Sequence, residues 1–462
     1  MLFFFGAGII GQRMFEICAN NDISPDFFVD NNPFRWGDFF EGRKIISPKE
    51  MIEIISEQSF LILITCKNQT EIYRQLIDLG VSDKCILNFN FLWPQLLMFY
   101  DSLPLVNIEK NAVLFDLSNG IVLGGVERWS FDSASLFSGK RRIVCIANNS
   151  QANNIAAPKD VEIVTLSCEQ QQNCICENMK AILNFMPCTV ICNFPQNFFY
   201  AAVELKRLFP DLIRVIAVVH NDEKVYYDAY SKYIKYIDCL LTISQRIKSR
   251  FLGLCVPEQK LIDLKWFVRC GNNLARGYYL GYGKNSRLRI GYAGRLTLYQ
   301  KRSDRLFEIA KKLKEKDIPF LFQIAGTGDY EQTLRESLLK NDLSSSVELV
   351  GLLESDSIPD FWKEQDIAIS CSDFEGNSIS KTEAMAQGCV PVVTDTSGAS
   401  DDIDDGVNGF IVPVGDVDEI VERIVFLYQN PEKLSAMGKM AYEKIKKNNS
   451  KKSIINMWNN IL

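Results

Sequence analysis

Short apolar runs rich in β-branched and aromatic residues alternate with segments of helical period along the whole chain. A strand buried on both faces reaches a parallel neighbour only through a crossover, usually a helix. The rhythm therefore predicts α/β architecture with doubly wound sheets. Three blocks separate. In the first, a strand at 2–5 leads through Gly6, Gly8 and Gly11 into a helix, a second strand ends at Asp30, and another covers 60–65. In the second, strands are expected at 112–115, 142–147, 161–166, 189–193, 213–220 and 237–243. A polar, Gly-rich joint at 271–287 precedes the third, with strands at 288–292, 320–325, 347–350, 366–370, 390–394 and 409–412. Leu306, Ile309, Ala310 and Leu313 recur at i, i+3, i+4, i+7, a helical face. Asp416, with Glu419 three residues on, reads as a helix start.

The length of 462 residues accommodates about three domains. The expected division is a Rossmann-like domain of nucleotide-binding type at 1–100, a second sheet domain at 101–280, a third at 281–445, and a C-terminal helix at 446–462 packing back on the second. A formal charge of -6 argues against a general nucleic-acid binder. Fourteen scattered Cys without a paired framework read as reduced, cytosolic thiols, and the Cys174/Cys176 pair as small buried hydrophobes. A single His, His220, nearly excludes a multi-histidine metal centre. Apolar runs stop short of the roughly 18 residues that cross a bilayer, so any membrane contact is expected to be peripheral.

In an open α/β sheet, ligands bind at the carboxyl ends of the strands, so the loops there carry the candidates. GYAGRLTLYQKRSDRL places Gly294, Arg295 and Lys301 between a strand and a helix. Two cations and a helix start suit a diphosphate, although loop cations are ordinarily just solvated. In AGTGDYEQTL, Gly326 and Gly328 either admit a ligand against the backbone or make a tight turn. SDFEGNSISKTEAMAQG offers Glu375 in a loop and Glu383 on the following helix, while Ser380 with Glu383 fits a capping box that needs no ligand.

Taken in order, GRL…QKR-DRL, G-x-G, VELVGLL, EG…EAMAQG-PVV and DGVNGFIV resemble the donor half of a GT-B glycosyltransferase of the retaining family 4 type, from about Leu288 to Lys446. The resemblance implies two facing Rossmann-like domains, the second block binding the acceptor and the third a nucleotide-sugar donor, UDP-linked, for bacterial surface glycan assembly. Leu123, Gly124, Gly125, Val126 and Glu127 look like the family's glycine-rich loop, and VIAVVHNDEKVYYDAY like the segment whose His lies near the donor sugar. It implies His220, Glu375, Arg295 and Lys301 as catalytic candidates. Gly294, Gly326, Gly328, Leu352, Gly376, Asn377, Ser378, Ile379, Ser380 and Glu383 are implied as donor-binding. Glu375 would face the sugar and Glu383 the ribose.

A front-face mechanism is implied, in which the leaving diphosphate takes the acceptor's proton while Arg295, Lys301 and the amides near Ser378 stabilise the charge. No metal is expected, since DDIDD at 401–405 aligns with a short helix start. Two departures stand out: KLIDLKWFVRCGNNLARG lacks the family's asparagine-glycine-valine turn, and Asn377 and Ser378 stand where Pro or Ser is common. The second block carries 20 Lys/Arg against 17 Asp/Glu, a mild excess suited to a phosphate-bearing, lipid-linked acceptor at a membrane face.

Gly6, Gly8, Gly11 and Asp30 form the fuller dinucleotide fingerprint, in a block resembling small Rossmann-like domains attached to bacterial sugar-modifying enzymes. A nucleotide there is one expectation. An NAD-dependent sugar-nucleotide oxidoreductase or epimerase is an alternative function resting on this block alone, though the block has no His to serve as acid or base. A non-catalytic sugar-nucleotide sensor is the third.

Overall fold

The computed structural model describes residues 1–19, 23–55, 59–88, 112–121, 125–137, 141–148, 158–166, 171–270 and 287–462. Among them the strands form three sheets, parallel apart from one hairpin. The first holds β1 (Leu2–Phe5), β2 (Phe27–Val29), β3 (Phe39–Phe40), β4 (Arg43–Ile46), β5 (Leu61–Ile64) and β6 (Ile86–Asn88), in the order β3-β4-β2-β1-β5-β6. The second holds β7 (Ala112–Leu117), β8 (Ile143–Asn148), β9 (Glu162–Leu166), β10 (Cys188–Cys192), β11 (Ile213–Val219), β12 (Cys239–Thr242) and β13 (Leu261–Asp263), in the order β13-β12-β11-β10-β7-β8-β9. The third holds β14 (Leu288–Ala293), β15 (Phe320–Ala325), β16 (Val347–Gly351), β17 (Ile367–Ser370), β18 (Val390–Thr394) and β19 (Phe410–Val412), in the order β16-β15-β14-β17-β18-β19. All three are doubly wound, as the alternating pattern requires. Their strand order reverses between β1 and β5, between β7 and β10, and between β14 and β17.

Two strand ends differ instructively from the sequence expectation. β11 stops at Val219, which leaves His220 as the first residue beyond the strand. The strand expected from 237 begins at Cys239, because Ile234–Tyr236 form a single 3-10 turn and the Asp238 carboxylate accepts from the Val215 amide at 2.7 Å, standing in for a ladder bond. The turn-rich stretch after Asp30 hides the β3–β4 hairpin, whose turn residues Glu41 and Gly42 take positive φ of 47° and 73°.

By packing the chain divides into two compact units, Met1–Ala217 with Tyr233–Asp238, and Val218–Lys232 with Cys239–Leu462. In the first, Phe3, Phe5, Ile62 and Ile64 are buried at the centre of the N-terminal sheet's core. Asp83 anchors that sheet domain on the second sheet's helix Asn197–Leu208. Its carboxylate accepts from Tyr236 at 2.9 Å and from Tyr73, and Arg207, buried and paired with Glu204, donates to its backbone oxygen. In the second unit, Leu306, Ile309, Ala310 and Leu313 are all buried in the core under the third sheet, as their spacing predicts. The helix expected from 446 is instead two: Pro431–Asn448 runs on to Asn449, and Lys451–Ile461 starts after Ser450, whose hydroxyl accepts from the Ser453 amide. Asn449 donates to the Trp266 backbone oxygen at 2.8 Å and accepts from the Val268 amide.

Candidate functional site

The reversal between β14 and β17 opens a crevice at the carboxyl edge of the third sheet, and the loops after those strands carry the cationic and acidic candidates. They meet there. Lys301 Nζ lies 2.5 Å from Glu375 Oε1, and Ser372 Oγ donates to the same oxygen at 2.7 Å. Glu375 lies in the loop after β17, as expected, and is buried there, at 6% exposed. Arg295 is exposed and donates to Gln300 Oε1 at 3.1 Å, while Gln300 donates to the Phe374 oxygen, tying the two loops together.

A second clamp lies behind this pair. Arg302 sits at a positive φ of 50°, a strained position for a side-chain-bearing residue. Its guanidinium pairs with Asp304 at 2.7 Å and with Asp373 at 3.1 Å, and Arg305 meets Asp373 at 2.6 Å. These four charges hold the chain on either side of Lys301 and Glu375. Runs such as QKRSDR and SDFEG contain them, but only the tertiary pairing tells a clamp from solvated charge.

The glycines have mainly packing roles. A Cβ on Gly326, whose φ is +133°, would stand 1.9 Å from the Gly294 oxygen, and one on Gly328 would stand 2.2 Å from the Leu296 oxygen. Their bareness lets the loop after β15 lie against the backbone of the loop bearing Arg295. Leu352 is exposed just beyond β16, and Gly125 is exposed at the first turn of the helix Gly125–Ser135. Gly124 and residues 271–286 lie outside the described residues, and so do the side chains of Cys174 and Cys176.

The helix Ile379–Ala386 starts at the far lip of the crevice. Its cap is Ser378, whose hydroxyl accepts from Lys381 N at 3.4 Å, so the expected Ser380/Glu383 capping box is not formed. Glu383 falls one turn further in, half buried. Ser378, Ile379 and Ser380 are half buried, and Ser378, Ser380, Lys301 and Lys381 share the lining of one small cavity. Sequence inspection missed Lys381. Its ammonium, in the first turn, is buried 2.8 Å from Asp402 and donates to the Gly398 oxygen at 2.7 Å. A lysine between small and apolar residues on a short helix was the available signal. The run at 401–405 disperses: Asp401 accepts from the Gln245 amide, Asp402 pairs with Lys381, Asp404 with Lys444, and Asp405 accepts from the Ile411 amide.

His220 joins this site through backbone. A Cβ on Gly376 would meet the His220 oxygen at 2.4 Å, so the Glu375–Gly376 loop presses directly on the His220 segment, and Asn377 donates to the Ile243 oxygen. The His220 ring stacks on Trp266 with centroids 6.0 Å apart. Burial pushes its pKa down to about 3. It is therefore a neutral donor and acceptor, not a cation. Because its folded value lies below the unfolded one, its contribution to stability is complete above about pH 6.5 and drains away as the pH falls towards the folded value. As the only imidazole in the chain it is readily observed, and its ring NMR resonances should stay constant from about pH 8 to about pH 5, where an unperturbed histidine titrates.

In the N-terminal sheet domain, Gly6 (φ +120°) and Gly11 again make room for backbone: a Cβ on Gly11 would lie 2.1 Å from the Gly6 oxygen. Gly8 is open. The Asp30 carboxylate accepts from the Ala7 amide at 3.2 Å and the Asn32 amide at 2.9 Å and meets Arg35 at 3.4 Å, so it braces its own loops.

Residues 283–444 match the family model described as Glycosyl transferases group 1, and residues 2–87 match a separate one described as C2185-like, N-terminal. Fold and matches agree on the architecture: the third sheet lies within the match to Glycosyl transferases group 1, the chain shares the GT-B fold with solved structures, and the N-terminal sheet domain matches separately. Among named relatives, the chain is 28% identical over 225 residues to the putative glycosyltransferase EpsD of Bacillus subtilis, covering 46% of this chain and 58% of EpsD. It is 28% identical over 175 residues to the poly(ribitol-phosphate) alpha-N-acetylglucosaminyltransferase of Staphylococcus aureus, covering 37% of this chain and 34% of that protein. The matches thus span about a third to three-fifths of these relatives. The crystal structure of TarM superposes with a TM-score of 0.60 at 14% identity over 76% of this chain and 98% of TarM. That of Anabaena Alr3699/HepE with UDP and glucose gives 0.61 at 14%, over 76% and 99%. Among the described residues, no helix is long and apolar enough to cross a membrane.

Proposed function

We propose that the chain is a retaining, metal-independent glycosyltransferase that moves a sugar from a UDP-sugar to a glycan or lipid-linked glycan acceptor in bacterial surface polysaccharide assembly. The observation that carries this is the meeting of Lys301, Glu375 and Ser372 at the β14/β17 reversal, with Arg295 on the same loop and Gly376 pressed on His220. Relatives named for polysaccharide synthesis, and a fold neighbour holding UDP and glucose, support the donor class and the glycan acceptor.

The third sheet domain, 281–445, takes the donor, and the second, 101–280, the acceptor. Arg295 and Lys301 face the diphosphate, and the amides of Ser378, Ile379 and Ser380 add donors at a helix start. Gly294, Gly376 and Asn377 shape the backbone beneath it. As the bond to the anomeric carbon breaks, these groups stabilise the charge left on the diphosphate, whose oxygen takes the acceptor's proton as the new bond forms on the same face. Glu375, its charge balanced by Lys301, orients the sugar hydroxyls. Neutral His220 adds a hydrogen bond near the sugar, and Glu383 one to the ribose. Gly124 and Gly125 belong to the acceptor half's glycine-rich loop. The protein works inside the cell with peripheral membrane contact.

A thermal-shift panel of UDP-, GDP-, ADP- and TDP-sugars tests this, since a ligand bound only by the native state raises the melting temperature. A UDP-sugar should raise it most and be hydrolysed or transferred without added metal. No shift with any nucleotide sugar would overturn the assignment.

A further inference from the structure

Two residues beyond His220 lies a buried carboxylate that the chemistry above leaves unused. Asp222 is 6% exposed at its side chain, and three donors from three elements converge on it. Tyr227 Oη, on the helix Lys224–Lys232, donates to Oδ1 at 2.6 Å. Arg250, near the end of the helix Gln245–Gly253, donates to the same oxygen, and the buried Ser397 hydroxyl donates to Oδ2. Tyr227 in turn packs on Phe251, with centroids 4.8 Å apart, so this donor is itself held.

Ser397 connects Asp222 to the rest of the site. It belongs to the loop after β18, and the next residue, Gly398, lies so close beneath the Glu375–Asn377 loop that a Cβ there would stand 2.4 Å from the Gly376 oxygen. Lys381 donates to the Gly398 oxygen from the other side. The His220 segment and the Glu375 loop thus touch directly at Gly376 and are also strapped together through Asp222, Ser397 and Gly398. A carboxylate suits this position because it accepts on both oxygens at once, whereas an amide accepts on one only.

We infer that Asp222 is a positioning residue, which sets the register of His220 against the Glu375–Gly376 loop by drawing Tyr227, Arg250 and Ser397 onto one carboxylate. The inference rests on the transferase assignment and deepens it. It predicts that Asp222→Asn lowers kcat at least 10-fold while donor KM stays within about two-fold, since Lys301 and Arg295 are left in place. Ser397→Ala, a milder change that keeps the other two donors, should lower kcat several-fold in the same way.

The experiment combines steady-state kinetics on a UDP-sugar with 15N-histidine labelling, which yields signals from one imidazole. In both variants the His220 resonances should shift, more in Asp222→Asn. Active wild-type protein with unmoved resonances in both folded variants overturns the positioning role, as does a matched loss of melting temperature with kcat per folded molecule intact. A wild-type chain that turns over no nucleotide sugar instead overturns the transferase assignment.

Discussion

Lys301→Ala should weaken nucleotide-sugar binding by about 10- to 100-fold, the loss of one charge-assisted contact worth roughly 1.5–3 kcal/mol. It should also cost stability, because the side chains of Lys301 and Glu375 are only 17% and 8% exposed and Glu375 would keep just the Ser372 hydroxyl. Removing one member of a buried pair leaves an uncompensated charge, at about 3 kcal/mol or somewhat less here, where the pair is partly open. Glu375→Gln should cut turnover by about 100-fold or more and also lower stability, since it strands the lysine instead. A Lys301→Ala, Glu375→Gln double variant should then be less destabilised than the two singles sum to, because neither charge is left alone. Arg295→Ala separates the effects: exposed and bonded only at its tip, it should lose affinity at almost no cost in stability. Calorimetric titration and urea unfolding of the four variants check this, and unchanged affinity in folded Lys301→Ala and Arg295→Ala would refute the site.

The largest loss of stability is expected at Lys381→Met, at about 3–5 kcal/mol. The ammonium and the Asp402 carboxylate are 2% and 1% exposed and 2.8 Å apart, so neither can turn to water when its partner is removed. Burial pushes the Asp402 carboxyl up, but Lys381 and then Lys265 outweigh it and hold the group below its ordinary value. The pair therefore stabilises the fold above about pH 4 and loses that contribution as the pH falls through the lower folded value. In Lys381→Met the buried carboxyl loses its main cation and takes up a proton more readily. The deficit against wild type should be greatest near neutrality and shrink on acidification. Lys381→Met with Asp402→Asn should regain part of it. Urea unfolding at several pH values gives the answer, and a loss under 1 kcal/mol at pH 7 would show that the pair is dispensable.

Neither the Lys381–Asp402 pair nor the Arg302–Asp373–Arg305 clamp was visible in the sequence, although both lie within motifs that were. Lys381 stands in the middle of SISKTEAMAQG and Asp402 in a run that reads as turn chemistry, and nothing local links residues 21 positions apart. The same holds for Arg302, Arg305 and Asp373, which look like surface charge until the loops after β14 and β17 are brought side by side. The misassigned cap has a simpler cause. Ser378 and Ser380 both precede the helix signal, and only the backbone turn at Ser378 chooses between them.

What the sequence determined alone was everything carried by local period and local stereochemistry. Apolar runs joined by helical segments require parallel sheets, so the three doubly wound sheets and most strand positions followed within a residue or two. Loops at the carboxyl ends of strands hold the ligand-facing groups of such sheets, so the loops bearing Lys301 and Glu375 were expected at one sheet edge, where those two side chains meet. The tertiary structure alone decided which charges neutralise which, which glycines make room for backbone, and that His220 is buried and uncharged. Those outcomes depend on distances between segments far apart in the chain and on the removal of water from around them. Both the Coulomb energy of a pair and the desolvation cost of an ionised group depend on the dielectric that packing creates, and no residue's neighbours in sequence specify it.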